Sequence, residues 1–209
     1  AEAKAAIGPL LPDVQRLHQL YQVLAKARSK RGAIEFESSE VRFVLDNRGE
    51  VTQAGMLVRN DAHKLIEECM IAANVQAALH LMAAKVPAPY RIHEKPPESK
   101  FEDLLEFLKE FKLSLPPWSK VEPRDYTKLL KKIRDRPDVA LLESVLLRSQ
   151  SLAVYSAENH GHFGLALEAY AHFTSPIRRY PDLLVHRALK HVLSGARADK
   201  YQYSPRDMA

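Results

Sequence analysis

At 209 residues, with 46% apolar and 27% charged residues, the chain is long enough for one sizeable core or two small domains, which argues against disorder. No apolar run approaches the roughly 20 residues that span a bilayer, Ala1-Glu2-Ala3-Lys4 lacks the order of a secretory leader, and the lone Cys69 can form no internal disulfide. A cytoplasmic protein with no membrane partner is therefore expected, and its net charge of +5 with a pI near 9.2 suits a polyanionic partner as well as a merely solvated surface.

Leu17, Leu20, Tyr21 and Leu24 recur at helical spacing, and Arg28-Ser29-Lys30-Arg31-Gly32 supplies basic residues and a glycine stop, which predicts an amphipathic helix over 12–30. The period then changes to two. Ala33-Ile34-Glu35-Phe36 and Val41-Arg42-Phe43-Val44-Leu45 alternate, Asp46-Asn47-Arg48-Gly49 is a turn, and Glu50-Val51-Thr52 resumes, which predicts a short antiparallel β unit. Asn60 or Asp61 can cap a second helix reaching about 85, with Ala62, Leu65, Ile66, Cys69, Ala72, Ala73 and Ala77 on its apolar face. The opposite arc, Asn60, Asp61, His63, Lys64, Glu67, Glu68 and Asn74, is expected to face solvent.

Val86-Pro87-Ala88-Pro89 and Lys95-Pro96-Pro97 punctuate an extended connection. Helices are predicted over 101–111, buried through Leu104, Leu105, Phe107, Leu108 and Phe111, then over 124–134 and 138–155. Gly164 to Tyr170 reads as extended, and a last helix over 175–193 starts at Ser175-Pro176, stops at Gly195 and carries Pro181 in its first turns. The outline is α+β and dominated by helices.

The densest polar and aromatic concentration runs from His160-Gly161-His162-Phe163-Gly164 to Tyr170-Ala171-His172-Phe173-Thr174-Ser175-Pro176-Ile177-Arg178-Arg179-Tyr180. A helix starting near Ser175 would aim free N–H groups at an anion, Arg178 and Arg179 would add bidentate phosphate contacts, and Asp182 could hold one guanidinium in place. A surface ion-pair network explains the same residues. His160, His162 and His172 could instead converge on zinc, though no cysteine lies near them.

The stretch from His162 through Asp182 closely resembles the motif of the RNase II/RNase R (RNB) exoribonuclease family, in wording nearer to the RNase R branch. Asn60 through Met70 resembles that family's other helical motif, and Arg31-Gly32-Ala33-Ile34-Glu35-Phe36 its clamp strand, so the likeness covers nearly the whole chain. The resemblance implies the later, helix-dominated part of an RNB catalytic domain, from a processive enzyme that degrades single-stranded RNA from the 3′ end to nucleoside 5′-monophosphates with Mg²⁺ or Mn²⁺. It implies that Arg178 contacts the scissile phosphate and that Glu67 accepts from a ribose 2′-OH. It also implies that Phe36 stacks on bases, with Arg179, Tyr180, His162 and Tyr170 lining the RNA path.

Two-metal cleavage needs clustered carboxylates, and the sequence has neither Asp-Asp nor Asp-x-Asp; Asp135-Arg136-Pro137-Asp138 reads as a helix break. The chain is accordingly expected to lack the family's upstream aspartate-rich segment and its cold-shock and S1 domains, to bind no metal tightly and to be inactive alone. Self-association through the apolar surface that the upstream segment would cover is expected as well. A non-catalytic RNA-binding or interaction module is the alternative.

Overall fold

The computed structural model describes residues 8–36, 40–57 and 59–208; Ala1 to Lys4 and Ala209 lie outside them. Helix α1 (Leu11–Arg31) has proline in its first turn and ends where Gly32 turns left-handed at φ 85°. Only glycine suits that corner, because a Cβ would sit 2.7 Å from the Cβ of Arg124. Thr127 Oγ1 reaches the carbonyls of Gly32 and Ala33 at 3.2 and 3.1 Å, tying the end of α1 to a distant helix.

Strands β1 (Glu40–Leu45) and β2 (Val51–Leu57) form an antiparallel hairpin pairing Arg42 with Gly55 and Phe43 with Ala54. Its turn is set by Asp46, whose Oδ1 accepts from the N–H groups of Arg48 and Glu50 at 2.7 and 3.0 Å. Helix α2 (Asp61–Ala84) is capped by Asn60, which accepts from Ala62 N at 3.1 Å and His63 N at 3.2 Å, and it ends at a left-handed Lys85. Then come β3 (Tyr90–Ile92), α3 (Glu98–Glu110), α4 (Pro123–Ile133), α5 (Val139–Arg148), β4 (Val154–Ser156) and α6 (Tyr180–Leu193). The α+β, helix-dominated class holds. Among the described residues no helix is long and apolar enough to cross a membrane.

Two clusters form the interior. The first gathers Phe101, Leu104 and Leu108 of α3, Tyr126 and Ile133 of α4, and Leu142 and Leu146 of α5, with Ile34 entering from the segment after α1. The second joins Ala77, Ala78 and Leu81 of α2 to Tyr90 and Ile92 of β3, Ala169, Ala171, and Val185 and Ala188 of α6. Alanine on the facing sides of α2 and α6 leaves room for close approach. Strand β3 is held on both edges: β4 pairs with it antiparallel, Arg91 opposite Tyr155, while Arg91 N donates outward to the Tyr170 carbonyl at 2.8 Å.

Several expectations are corrected. Ala33 to Phe36 is no part of the hairpin; Ile34 N donates instead to the Gly164 carbonyl at 2.8 Å, drawing the segment into the first cluster. The helix expected over 138–155 ends at Arg148, where Ser149 Oγ and Gln150 Nε2 bond back to the Leu146 carbonyl, and its tail becomes β4. The stretch from Gly164 to Tyr170 is not extended, since residues 163–166 turn with Ala166 left-handed at φ 51° and His162 bridging Leu167. On α2, Glu68 and Asn74 are buried rather than solvated, because polar partners meet them there, and Ile66 is exposed.

Candidate functional site

The polar concentration from His160 to Tyr180 folds across β3 and is pinned to it, residue by residue. His93 lies at the centre: its Nδ1 accepts from Gly164 N at 2.8 Å and its Nε2 faces the Ser151 carbonyl at 2.8 Å. Those bonds leave one proton, on Nε2, and burial pushes the imidazole pKa below its ordinary value, so His93 is neutral. Gly164 packs so tightly here that a Cβ would come within 2.8 Å of His93 Nδ1.

Rings continue outward from His93. His162 lies 5.0 Å away, Tyr170 5.3 Å from His162, His172 5.6 Å from Tyr170 and Tyr155 5.5 Å from His172, the last three contacts edge to face. Burial, reinforced by neighbouring His93, brings the His162 pKa down to about 3. Burial and then the positive charge of Arg179 bring that of His172 down to about 4. Both are neutral at physiological pH.

Asn74, buried in α2, fixes the next residues. Its Nδ2 donates to the Tyr170 hydroxyl at 2.9 Å and its Oδ1 accepts from Phe173 N and Thr174 N at 2.9 and 3.2 Å. Asp182, fully buried in the first turn of α6, then accepts from Ser175 N and from Arg179 Nη2, both at 2.8 Å. The expected helix start at Ser175 is therefore wrong. Residues 176–178 form a turn, Arg179 is extended as the N-cap, and α6 begins at Tyr180 with Pro181 in its first turn. Ser175 N is taken by Asp182, so it offers no anion a free helix N-terminus.

That turn separates the paired arginines. Arg179 points inward onto Asp182, whereas the Arg178 guanidinium is exposed and, among the described residues, bonds only the Ser175 hydroxyl, at 3.4 Å, with Ile177 and Tyr180 exposed beside it. Glu67 is half-exposed and paired with Arg59, while its neighbour Glu68 is buried against Arg28 at 2.8 Å. Phe36 is partly buried against the first cluster. Tyr170, only 8% exposed with its hydroxyl on Asn74, and His162, partly buried with Nδ1 accepting from Leu165 N at 3.2 Å, form the floor of the site. Sequence reasoning missed Asn74, Arg28 and His93, whose partners lie 40 to 100 residues away.

The donor set does not fit a divalent cation. Among the described residues no group of three His, Cys, Asp or Glu side chains is arranged to hold a metal ion, and Glu67, Glu68 and Asp182 each face an arginine. Nor do the three histidines converge as zinc ligands would. His160 lies between Glu94 and Glu158 at 3.0 and 3.4 Å, His162 bonds backbone, and His172 Nδ1 meets the Tyr155 hydroxyl at 2.7 Å.

Residues 1–195 match the family model described as RNB domain. Ribonuclease R of Escherichia coli (strain K12) is 52% identical over 187 residues, covering 90% of this chain and 23% of that protein. Ribonuclease R of Vibrio cholerae is 49% identical over 216 residues, covering 99% of this chain and 26% of that one. Among solved structures, Mycoplasma genitalium RNase R in complex with ribose methylated single-stranded RNA superposes with a TM-score of 0.81 at 31% identity, covering 88% of this chain and 29% of that one. The chain spans about a quarter of the length of the curated relatives it matches.

Proposed function

The chain belongs to the RNB domain family, and on that premise we propose that it supplies the RNA-guiding part of a processive exoribonuclease taking single-stranded RNA from its 3′ end to nucleoside 5′-monophosphates. The carrying observation is the turn over 176–178, which exposes Arg178 without a carboxylate partner among the described residues while Asp182 holds Arg179 and the backbone behind it. The anchored turn sets where the Arg178 guanidinium emerges, and a guanidinium there can stabilise charge developing on a phosphate.

Around Arg178 the remaining roles follow from placement. Tyr180 offers an exposed ring beside it, and Arg179 adds positive potential while anchoring the turn. His162 and Tyr170 act by position, keeping the floor neutral and rigid. Glu67, half-exposed, is suited to accept from a 2′-OH, and Phe36 to stack on a base. The acids of a Mg²⁺ or Mn²⁺ centre are not among the described residues, so hydrolysis is assigned to carboxylates of the complete enzyme and only binding to this chain.

The test incubates the purified chain with 5′-labelled single-stranded RNA and Mg²⁺ or Mn²⁺, following product lengths on a sequencing gel and affinity by fluorescence anisotropy. RNA that stays intact and is bound about tenfold or more weakly by Arg178→Ala is expected, since a bond from a charged donor contributes about 1.5–3 kcal/mol. Equal affinity for RNA and DNA of one length, unaffected by Arg178→Ala, overturns the RNA assignment. Metal-dependent shortening from the 3′ end that Arg178→Ala abolishes overturns the division of labour.

A further inference from the structure

Arg178 is not the only arginine here without a carboxylate. Arg91, half-buried in β3, has none among the described residues, in contrast to Arg28, Arg59 and Arg179, each of which holds an acid. Its guanidinium lies 4.7 Å from the ring centroid of Tyr155, its cross-strand partner. Tyr155 is 38% exposed, and its hydroxyl meets His172 Nδ1 at 2.7 Å. When the tyrosine donates that bond, the imidazole proton lies on Nε2.

The backbone that carries these three side chains is tied to the Arg178 turn. Arg91 and Tyr155 are fixed by strand pairing, and Arg91 N is bonded to the Tyr170 carbonyl. His172 lies between Tyr170 and Phe173, both tied to Asn74, and Ser175 opens the turn that carries Arg178. The charges of Arg179, Arg91 and Arg178 each act on His172, opposed by Asp182, so the cluster and the turn lie within electrostatic reach of one ring. Together they hold what single-stranded RNA needs at each step, a cation for the phosphate and a ring for the base.

We propose that Arg91, Tyr155 and His172 form a second RNA subsite continuous with the Arg178 turn. Arg91 takes a phosphate, the Tyr155 ring packs on a base or sugar, and His172 Nε2–H donates to an RNA oxygen. The proposal rests on the RNA assignment above and extends it to Arg91 and Tyr155, which the sequence pattern did not single out, and to His172, which it offered only as a zinc ligand.

Anisotropy titrations with 5′-fluorescent single-stranded RNA compare the wild-type chain with Arg178→Ala, Tyr155→Ala and Arg91→Gln. Both new variants are expected to bind at least about fivefold more weakly, Tyr155→Ala through loss of a base-stacking ring and Arg91→Gln through loss of a charged donor to phosphate. Arg91→Gln is further expected to flatten the plot of log K against log salt by about 0.7, as loss of one single-strand phosphate contact does. A wild-type chain that binds no RNA overturns the RNA assignment and this subsite with it. Weakening by Arg178→Ala alone overturns the subsite and leaves that assignment standing. Photocrosslinking of 4-thiouridine RNA to the wild-type chain decides the matter even where a variant does not fold. Adducts at or beside Tyr155 or His172 are expected, and adducts confined to other peptides overturn the proposal.

Discussion

Replacing Asp182 by alanine removes a carboxylate with no solvent exposure that receives two hydrogen bonds of 2.8 Å, from Ser175 N and Arg179 Nη2. Arg179 is itself 22% exposed, so its charge would be left largely desolvated and unpaired. Breaking a buried pair from one side costs about 3–5 kcal/mol. With a urea slope of about 2 kcal/mol/M, the unfolding midpoint should fall by about 2 M. The pair is incompletely satisfied, because Asp182 Oδ2 and Arg179 Nε are buried without partners among the described residues. An apolar replacement of both, Arg179→Met with Asp182→Leu, should therefore recover most of the loss while still releasing Ser175 N and weakening RNA binding. Urea denaturation followed by circular dichroism measures both variants. An Asp182→Ala midpoint within about 0.3 M of wild type would refute the view that this carboxylate holds the turn.

Asn74→Ala removes three hydrogen bonds from the junction of α2 with residues 170–174 and should cost about 2–4 kcal/mol in the same assay. Gly164→Ala drives a methyl to 2.8 Å from His93 Nδ1 and should cost about 1–3 kcal/mol, whereas Gly55→Ala, whose Cβ meets nothing within 4 Å, should change stability by under about 0.5 kcal/mol. His162 and His172 are held neutral, at about 3 and about 4, against an ordinary value near 6.5. Below pH 6.5 the unfolded chain therefore binds more protons than the folded one, and stability that is full above 6.5 is lost as pH falls toward 4 and then 3. The melting temperature should drop between pH 7.5 and 5, and less steeply in His162→Gln, although His160, raised by Glu94 and Glu158, opposes the trend weakly from the surface. A melting temperature that rises on acidification contradicts this.

Local chemistry made most element ends legible. Gly32 after a basic turn, Asn60 before an apolar period, and Asp46-Asn47-Arg48-Gly49 between alternating runs each act within a few residues, and the structure uses all three as expected. Nonlocal pairing was not legible. Residues 149–155 hold no glycine or proline to stop the preceding helix, and only the edge of β3 makes a strand of Val154–Ser156. Likewise, nothing within α2 reveals that Glu68 will meet Arg28 or that Asn74 will meet the backbone at Phe173, so a polar arc was assigned to water. At the site, spacing showed that Asp182 could hold one of the paired arginines, and the structure gives it Arg179. The true helix start at Tyr180 was not legible, because it depends on Asp182 taking the Ser175 N–H.

The β1–β2 hairpin described above buries none of the side chains described along it, with Val41, Phe43, Val51 and Met56 each more than half exposed. A two-stranded ribbon is marginal in water. Its amides should therefore exchange with deuterium through frequent local opening, while those of Phe173 and Thr174, bonded to buried Asn74, should wait for cooperative loss of the second cluster. Such a gradient would make the hairpin the segment first nicked by a protease and first lost on warming, with the arginine turn among the last structures to disappear.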